Sequence, residues 1–329
     1  MAERMINERT VVAIVGPTCS GKTRIGIELA KLINGEIISA DARQIFKLID
    51  IGTAKPTREE LSKVPHHLVD VFPLDKEISA GAYAELAGKI AAEIFSRNRA
   101  PIIVGGSGLY IRALVDGLFD APKIEPKVKE ELRERLHSEG AKELLDELKR
   151  IDPDAAQGLL PQNYKRVVRA LEVYYSSGKR ISELRKTRPS VVNFNAIQFG
   201  IQLDRKLLYQ RIERRVDEMV GRGLVHEVKE ILRRGFDPKL NSLQTVGYKE
   251  AINHLKGKIS FEEMISLIKM NTRRYAKRQM TWLKKDKRIV WIEADNKDPK
   301  QIAEEICSHA SENGFVKNRI GAGLKKDCN

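Results

Sequence analysis

Residues 10–23 read Thr-Val-Val-Ala-Ile-Val-Gly-Pro-Thr-Cys-Ser-Gly-Lys-Thr. An apolar, β-branched run, Thr10–Val15, ends at Gly16, and Gly16–Thr23 follows the pattern G-x-x-x-x-G-K-[ST]. Behind the loop, Ile25, Leu29, Leu32 and Ile33 fall on one face of a helix that begins at Lys22. In this strand–loop–helix setting, backbone N–H groups wrap phosphate oxygens and the positive end of the helix stands behind them. Gly16, Pro17, Thr18, Cys19, Ser20, Gly21, Lys22 and Thr23 are therefore expected at a bound phosphate. Lys22 adds a point charge, and the Thr23 hydroxyl is placed to hold Mg²⁺. A fortuitous glycine turn would not need strand, glycines and helix to agree. The motif fixes a ligand class without saying what becomes of the phosphate.

Outward from the loop, short β-rich runs alternate with helical segments, the mark of an α/β fold with a parallel sheet flanked by helices. Strands are expected at Glu36–Ala40, Leu68–Phe72 and Ile102–Val104, with a helix near Ala80–Phe95. The texture changes around Asp120–Pro126, and Lys127–Ser177 is charge-rich and mostly helical, which reads as an inserted all-helical domain. Ala196–Leu203 returns to the sheet, Arg205–Gly235 is a long helix or a helix pair, and helical Phe261–Lys285 leads to a last strand at Arg288–Ile292. The expected division is a core of residues 1–120 and 196–313, an insertion of residues 121–195, and a disordered Gly/Lys/Asn-rich tail of residues 314–329.

The 329 residues include 59 basic and 45 acidic side chains, a net charge of +14 that favours a polyanionic partner. Cys19, Cys307 and Cys328 form no C-x-x-C pair, so neither zinc nor a disulfide framework is expected, and a reducing cytoplasm fits. Met1–Arg9 has no apolar stretch of the signal-peptide kind, and no run of about 18 apolar residues suggests a membrane span.

Ligands of open parallel sheets bind beyond the carboxyl ends of the strands. Asp41, just after the second strand, is placed to hold Mg²⁺ through water, to act as a general base, or simply to cap the next turn. Gly105-Gly106-Ser107-Gly108 permits close approach to a ligand, with the Ser107 hydroxyl donating to it, or else forms a tight turn with an N-cap serine. Phosphate-loop hydrolases hold Mg²⁺ with an Asp at the end of an apolar strand. Here Ile102–Val104 ends in glycine and Asp70 is the only similar candidate, which weakens an ATPase and leaves room for a transferase. Arg273, Arg274, Lys277, Arg278, Lys284, Lys285, Lys287 and Arg288 stand against one acid, Asp286, with Tyr275 and Trp282 among them. Lys165, Arg166, Arg169, Lys179 and Arg180 form a second cluster. Such stripes suit RNA, the competing reading being a solvated helix face.

Several strings together resemble the tRNA dimethylallyltransferase family. They are Gly16–Thr23, Ser39–Gln44, Asp50-Ile51-Gly52-Thr53-Ala54-Lys55-Pro56, His66–Asp70, Gly105–Tyr110, Arg166–Tyr174, Gly247–Glu250 and Tyr275–Gln279, spread over Val11 to Trp291. The resemblance implies a bacterial-type enzyme that moves a prenyl group from dimethylallyl diphosphate to N6 of the adenine at tRNA position 37. The phosphate loop would then grip a diphosphate that leaves. By the same resemblance Asp41 is the base, Thr23 holds Mg²⁺ and Arg215 stabilises the leaving group. Asp41, Ala42, Arg43, Gln44 and Ser107 would contact the flipped-out base. Lys165, Arg166 and Arg169 would hold the anticodon stem-loop, and Arg273, Lys277 and Arg278 belong to the RNA-facing stripe. A monomer acting in the cytoplasm is expected. The chain departs from the family pattern at Ala42 and Ser107, where Ser and Thr are common, and at Cys19, where Ala is frequent. Leu159–Tyr164 reads Leu-Leu-Pro-Gln-Asn-Tyr where Ile-His-Pro-Asn-Asp-Pro is usual. The alternatives are a prenyltransferase using a free adenine nucleotide, a phosphate-loop nucleoside or nucleotide kinase, and an RNA-binding protein without activity.

Overall fold

Along the central strand β1 (Thr10–Val15), Val11, Ala13 and Val15 enter one apolar cluster while Val12 and Ile14 enter another. A strand whose two faces are both fully buried belongs in the middle of a sheet covered on both sides. The computed structural model, which describes residues 9–119, 122–186 and 194–312, shows that arrangement.

The chain divides into two compact units, Met1–Val115 with Asn193–Asn329, and Asp116–Val192. In the first, β1 passes through the glycine loop into α1 (Lys22–Leu32), then β2 (Gly35–Ala40), α2 (Arg58–Lys63), the short β3 (His66–His67), α3 (Ala80–Ser96), β4 (Ala100–Gly105) and α4 (Gly108–Asp116). The second unit holds α5 (Pro126–Ser138), α6 (Ala141–Ile151), α7 (Pro153–Ala156), α8 (Tyr164–Ser177) and α9 (Ile181–Leu184) around Leu132, Leu144, Leu148, Val167 and Leu171. The first unit resumes with β5 (Asn195–Gln202), α10 (Arg205–Gly221), α11 (Leu224–Arg233), α12 (Tyr248–Leu255), α13 (Phe261–Leu283), β6 (Val290–Glu293) and α14 (Pro299–Glu312). Its six strands run parallel in the order β3-β2-β4-β1-β5-β6.

Two expectations need correction, and one alternative is decided. The third strand is His66–His67, and the run Leu68–Phe72 is not one. Leu68 and Asp70 adopt left-handed φ values of 60° and 59°. The amides of Asp70, Val71 and Phe72 bond instead to the carbonyls of Gln44 and Ile45 in the loop after β2. The last strand starts two residues late, at Val290, because Arg288 folds back onto Asp286 at 2.6 Å. Arg205–Gly235 is a helix pair, broken where Gly223 takes φ 96°. Helix α14 was not anticipated; its Ile302, Ala303, Ile306 and Ala310 pack with Ile25 and Leu29 of α1. The N-terminal stretch up to Glu8, Cys328 and the tail 314–329 lie outside the described residues. Among the described residues no helix is long and apolar enough to cross a membrane.

The strand ends β2 and β4 meet so closely that a Cβ on Gly105 would lie 2.2 Å from the Ala40 carbonyl oxygen. Both atoms belong to paired strand backbone and cannot swing aside. Gly105→Ala should cost about 3 kcal/mol, the upper end of overpacking effects. Urea unfolding of the variant against the parent chain measures it.

Candidate active site

The loop after β1 is held by its own geometry. Gly21 takes φ 89° immediately before α1, and Cys19 adopts a left-handed φ of 66° with its side chain buried. The Lys22 ammonium curls back over the loop, donating to the Pro17 carbonyl at 2.5 Å and to Ser20 Oγ at 3.4 Å. Burial lowers the Lys22 pKa to about 8; Asp41 opposes that fall and Arg215 adds to it. Lys22 therefore senses the charges of both Asp41 and Arg215, although 193 positions separate it from the latter.

Asp41 does two things. Its Oδ1 accepts from the Arg43 amide at 2.8 Å and the Gln44 amide at 3.2 Å, capping the turn after β2. Its Oδ2 makes no hydrogen bond among the described residues, and Asp41 lines the main cavity. Arg43 anchors on the Asn241 carbonyl at 2.7 Å, while Gln44 donates to the carbonyls of Thr53 and Ala54 at 3.1 and 3.0 Å. The Asp50–Pro56 loop is further gripped by Glu227, whose carboxylate accepts from the amides of Asp50 and Ile51 at 3.0 and 2.9 Å. Tyr248 donates to Glu227 at 2.6 Å, and its ring fills the space a Cβ on Gly52 would need, 2.4 Å away.

A third loop follows β4. Gly106 and Gly108 make room for neighbouring side chains: a Cβ there would meet Gln279 Nε2 at 2.3 Å and Trp282 Cδ1 at 2.0 Å. The Ser107 hydroxyl accepts from the Ala42 amide at 2.9 Å. Gln279, on α13 and 7% exposed, spans two loops: Oε1 accepts from the Thr18 amide at 2.8 Å and Nε2 donates to the Gly106 carbonyl at 3.0 Å.

These loops wall a cavity of about 1080 Å³ within the first unit. Thr18–Thr23, Asp41–Gln44, Arg211, Arg214, Arg215, Tyr275, Arg278 and Gln279 line it. The chemistry on offer is a phosphate cradle with several cations around it and one carboxylate oxygen left unbonded nearby.

The family model of the IPP transferases matches residues 44–286. The chain belongs to that family. Its relatives include the tRNA dimethylallyltransferase of Pelotomaculum thermopropionicum, 43% identical over 301 residues that make up 90% of this chain and 95% of the relative. Among solved structures, the full-length tRNA isopentenylpyrophosphate transferase of Bacillus halodurans is similar at 38% identity and TM-score 0.69, covering 93% of this chain and 98% of its own. A eukaryotic dimethylallyltransferase, solved acting on tRNA, is similar at 30% identity and TM-score 0.80, covering 94% of this chain and 80% of its own.

Family membership sharpens where the expected residues fall. Thr18–Thr23, Asp41, Ala42, Arg43, Gln44, Arg215 and Arg278 share the cavity wall. Gly16 and Pro17 stand behind it, Pro17 holding Lys22. Ser107 is not part of the wall, because its hydroxyl serves the turn at Ala42. Arg273 is turned to Glu213 at 2.8 Å and lies 5.8 Å from the Tyr209 ring centroid, and Lys277 is exposed away from the cavity. Lys165 and Arg166 are exposed on α8 of the second unit, where Arg169 pairs with Glu172 at 3.2 Å. The sequence reading missed Gln279, Glu227, Arg211 and Arg214. Gln279 had a readable signal: with Ala276 and Leu283 it continues the buried face of α13, where a lone polar residue needs partners.

In the free protein Lys22 is charged near pH 7 and largely neutral at about pH 9. A bound diphosphate favours the ammonium, so binding should take up a proton above about pH 8 and weaken as pH rises through that value. Calorimetric titration of inorganic diphosphate in two buffers of different ionisation enthalpy measures the uptake. Lys22→Arg, charged throughout, should lose this contribution.

Proposed function

We infer that this protein is a tRNA prenyltransferase. It moves a dimethylallyl group from dimethylallyl diphosphate to N6 of the adenosine at tRNA position 37 and releases diphosphate. One observation carries the reading of the site: the phosphate loop with Lys22, the cation Arg215 and the carboxylate of Asp41 stand on the wall of a single cavity, and Lys22 feels the charge of the other two.

The exocyclic amine of adenine is a weak nucleophile, its lone pair delocalised into the ring. The N6–C bond forms as the C–O bond to diphosphate breaks, and the proton lost from N6 passes to Asp41. The Oδ2 atom suits that task because Oδ1 is engaged with the amides of Arg43 and Gln44, which fix the carboxylate's direction. Charge gathering on the leaving diphosphate is met by Lys22, Arg215 and the loop amides. The Thr23 hydroxyl lines the cavity without a hydrogen-bond partner among the described residues, which suits a ligand to Mg²⁺. No cluster of three acidic, His or Cys side chains competes for the ion among the described residues, so diphosphate oxygens would complete its shell. Bound there, Mg²⁺ supplies charge neutralisation of the diphosphate.

Lys165, Arg166 and Arg169 on the second unit, and Lys277 and Arg278 on α13, are the residues we assign to phosphates of the anticodon stem-loop. Arg273 is the weaker member of that set, being paired with Glu213.

Incubation with Mg²⁺, dimethylallyl diphosphate and unmodified tRNA should yield a nucleoside heavier than adenosine by one dimethylallyl group less a hydrogen, read by mass spectrometry after digestion. An unchanged nucleoside profile would overturn the assignment. Asp41→Asn keeps an oxygen for the cap and removes the charge. It should leave tRNA affinity intact and slow single-turnover prenyl transfer by ~10²–10⁴-fold.

A further inference from the structure

We propose that Gln279 is a positioning residue for this transfer, holding the phosphate loop and Asp41 at one fixed separation. The inference rests on the prenyl-transfer reading above and assigns a role to a side chain on a different element from both groups. Its amide is the centre of a continuous polar chain. The Thr18 amide donates to Gln279 Oε1 at 2.8 Å, and Gln279 Nε2 donates to the Gly106 carbonyl at 3.0 Å. The next residue, Ser107, accepts from the Ala42 amide at 2.9 Å and donates its own amide to the Ala40 carbonyl at 3.1 Å. Asp41 lies between those two residues. The side chain thus ties the donor loop to the turn that carries the base.

Glutamine is specifically suited to the place. One end must accept from an N–H and the other must donate to a carbonyl. A carboxylate would set oxygen against oxygen at Gly106, and an apolar side chain would leave two backbone groups unpaired beside a buried contact. The Thr18 amide, being taken by Gln279, is withheld from phosphate, so the loop's curvature at that residue is set before any ligand arrives. In-line displacement needs leaving group, carbon and nucleophile aligned, and a misplacement of about 1 Å costs on the order of 10²-fold in rate. Loss of the tie moves the two loops relative to one another while leaving Lys22, Thr23 and the remaining loop amides to bind diphosphate.

The test is steady-state and single-turnover prenyl transfer by the full chain. Gln279→Ala should lower kcat by ~10²-fold and leave KM for dimethylallyl diphosphate within about threefold. Gly106→Ala attacks the same contact from the other side, since its Cβ would lie 2.3 Å from Gln279 Nε2. It should slow kcat by itself and add less in the Gln279→Ala background, where the Gln279 clash is gone and only the Gly16 carbonyl, 3.0 Å from the Cβ, remains. Circular-dichroism melts identify any variant that fails to fold, in which case the other variant decides. If the parent chain turns over but Gln279→Ala keeps its kcat, or the two changes are simply additive, the inference falls while the function stands. If the parent chain transfers no prenyl group, the function fails and the inference goes with it.

Discussion

The carboxyl ends of β2, β4 and β1 lie closer together than side chains would allow, and the site follows from that crowding. At Gly105 the Ala40 carbonyl is in the way of any Cβ; at Gly106 the Gly16 carbonyl stands 3.0 Å from where one would be. Loops that approach backbone to backbone bring unsatisfied amides and carbonyls with them, and each needs a partner. Ser107 and Gln279 supply two, reaching the Ala42 and Thr18 amides and the Gly106 carbonyl. Three segments far apart in sequence become one polar framework whose inner surface is the cavity wall.

Charge inside that wall is uneven. Eleven basic residues line it, Lys22, Arg43, Arg211, Arg214, Arg215 and Arg278 among them, against the acids Asp41, Glu60 and Glu218. Glu60 is spoken for by the N-cap of α2, where it accepts from the Thr57 amide at 2.9 Å, and Glu218 meets Arg214 at 3.5 Å. Among the described residues Asp41 Oδ2 has no hydrogen-bond partner, and Asp41 shares the cavity wall with the phosphate loop. The cap and the base were rival readings of Asp41 in the sequence. They are compatible because a carboxylate has two oxygens, and the cap aims the second one.

Elements governed by local pattern were legible. β1 and the start of α1 match because apolar runs and glycine punctuation act over a few residues. Leu68–Phe72 had the composition of a strand, but its amides found the loop after β2 and an ion pair from Lys55 to Asp70 at 2.7 Å, neither visible locally. The glycines of Gly105–Gly108 admitted a ligand or a tight turn; Gly105 and Gly106 line the cavity, while the places a Cβ would take are filled by Ala40, Gln279 and Trp282. Arg273 counted as a free cation until Glu213, on another helix, claimed it. Each miss concerns a partner distant in sequence. Helix α14 is different: its buried Ile302, Ala303, Ile306 and Ala310 had helical spacing and were readable.

The same crowding bears on why a phosphate loop should serve a reaction in which phosphorus is never attacked. Enzymes that hydrolyse or transfer the terminal phosphoryl group commonly hold their metal with an Asp at the end of a neighbouring strand. Here the end of β4 is Gly105, and no side chain fits there without displacing the backbone of β2. Asp70, the other candidate, is paired with Lys55 at 2.7 Å and is not part of the cavity wall. The turn after β2 supplies a carboxylate instead, Asp41, on the cavity wall that the phosphate loop also lines. In the reaction proposed, it would take a proton there from an acceptor amine that meets the carbon of a departing diphosphate ester, and the strand packing disfavours the metal-holding alternative at the end of β4.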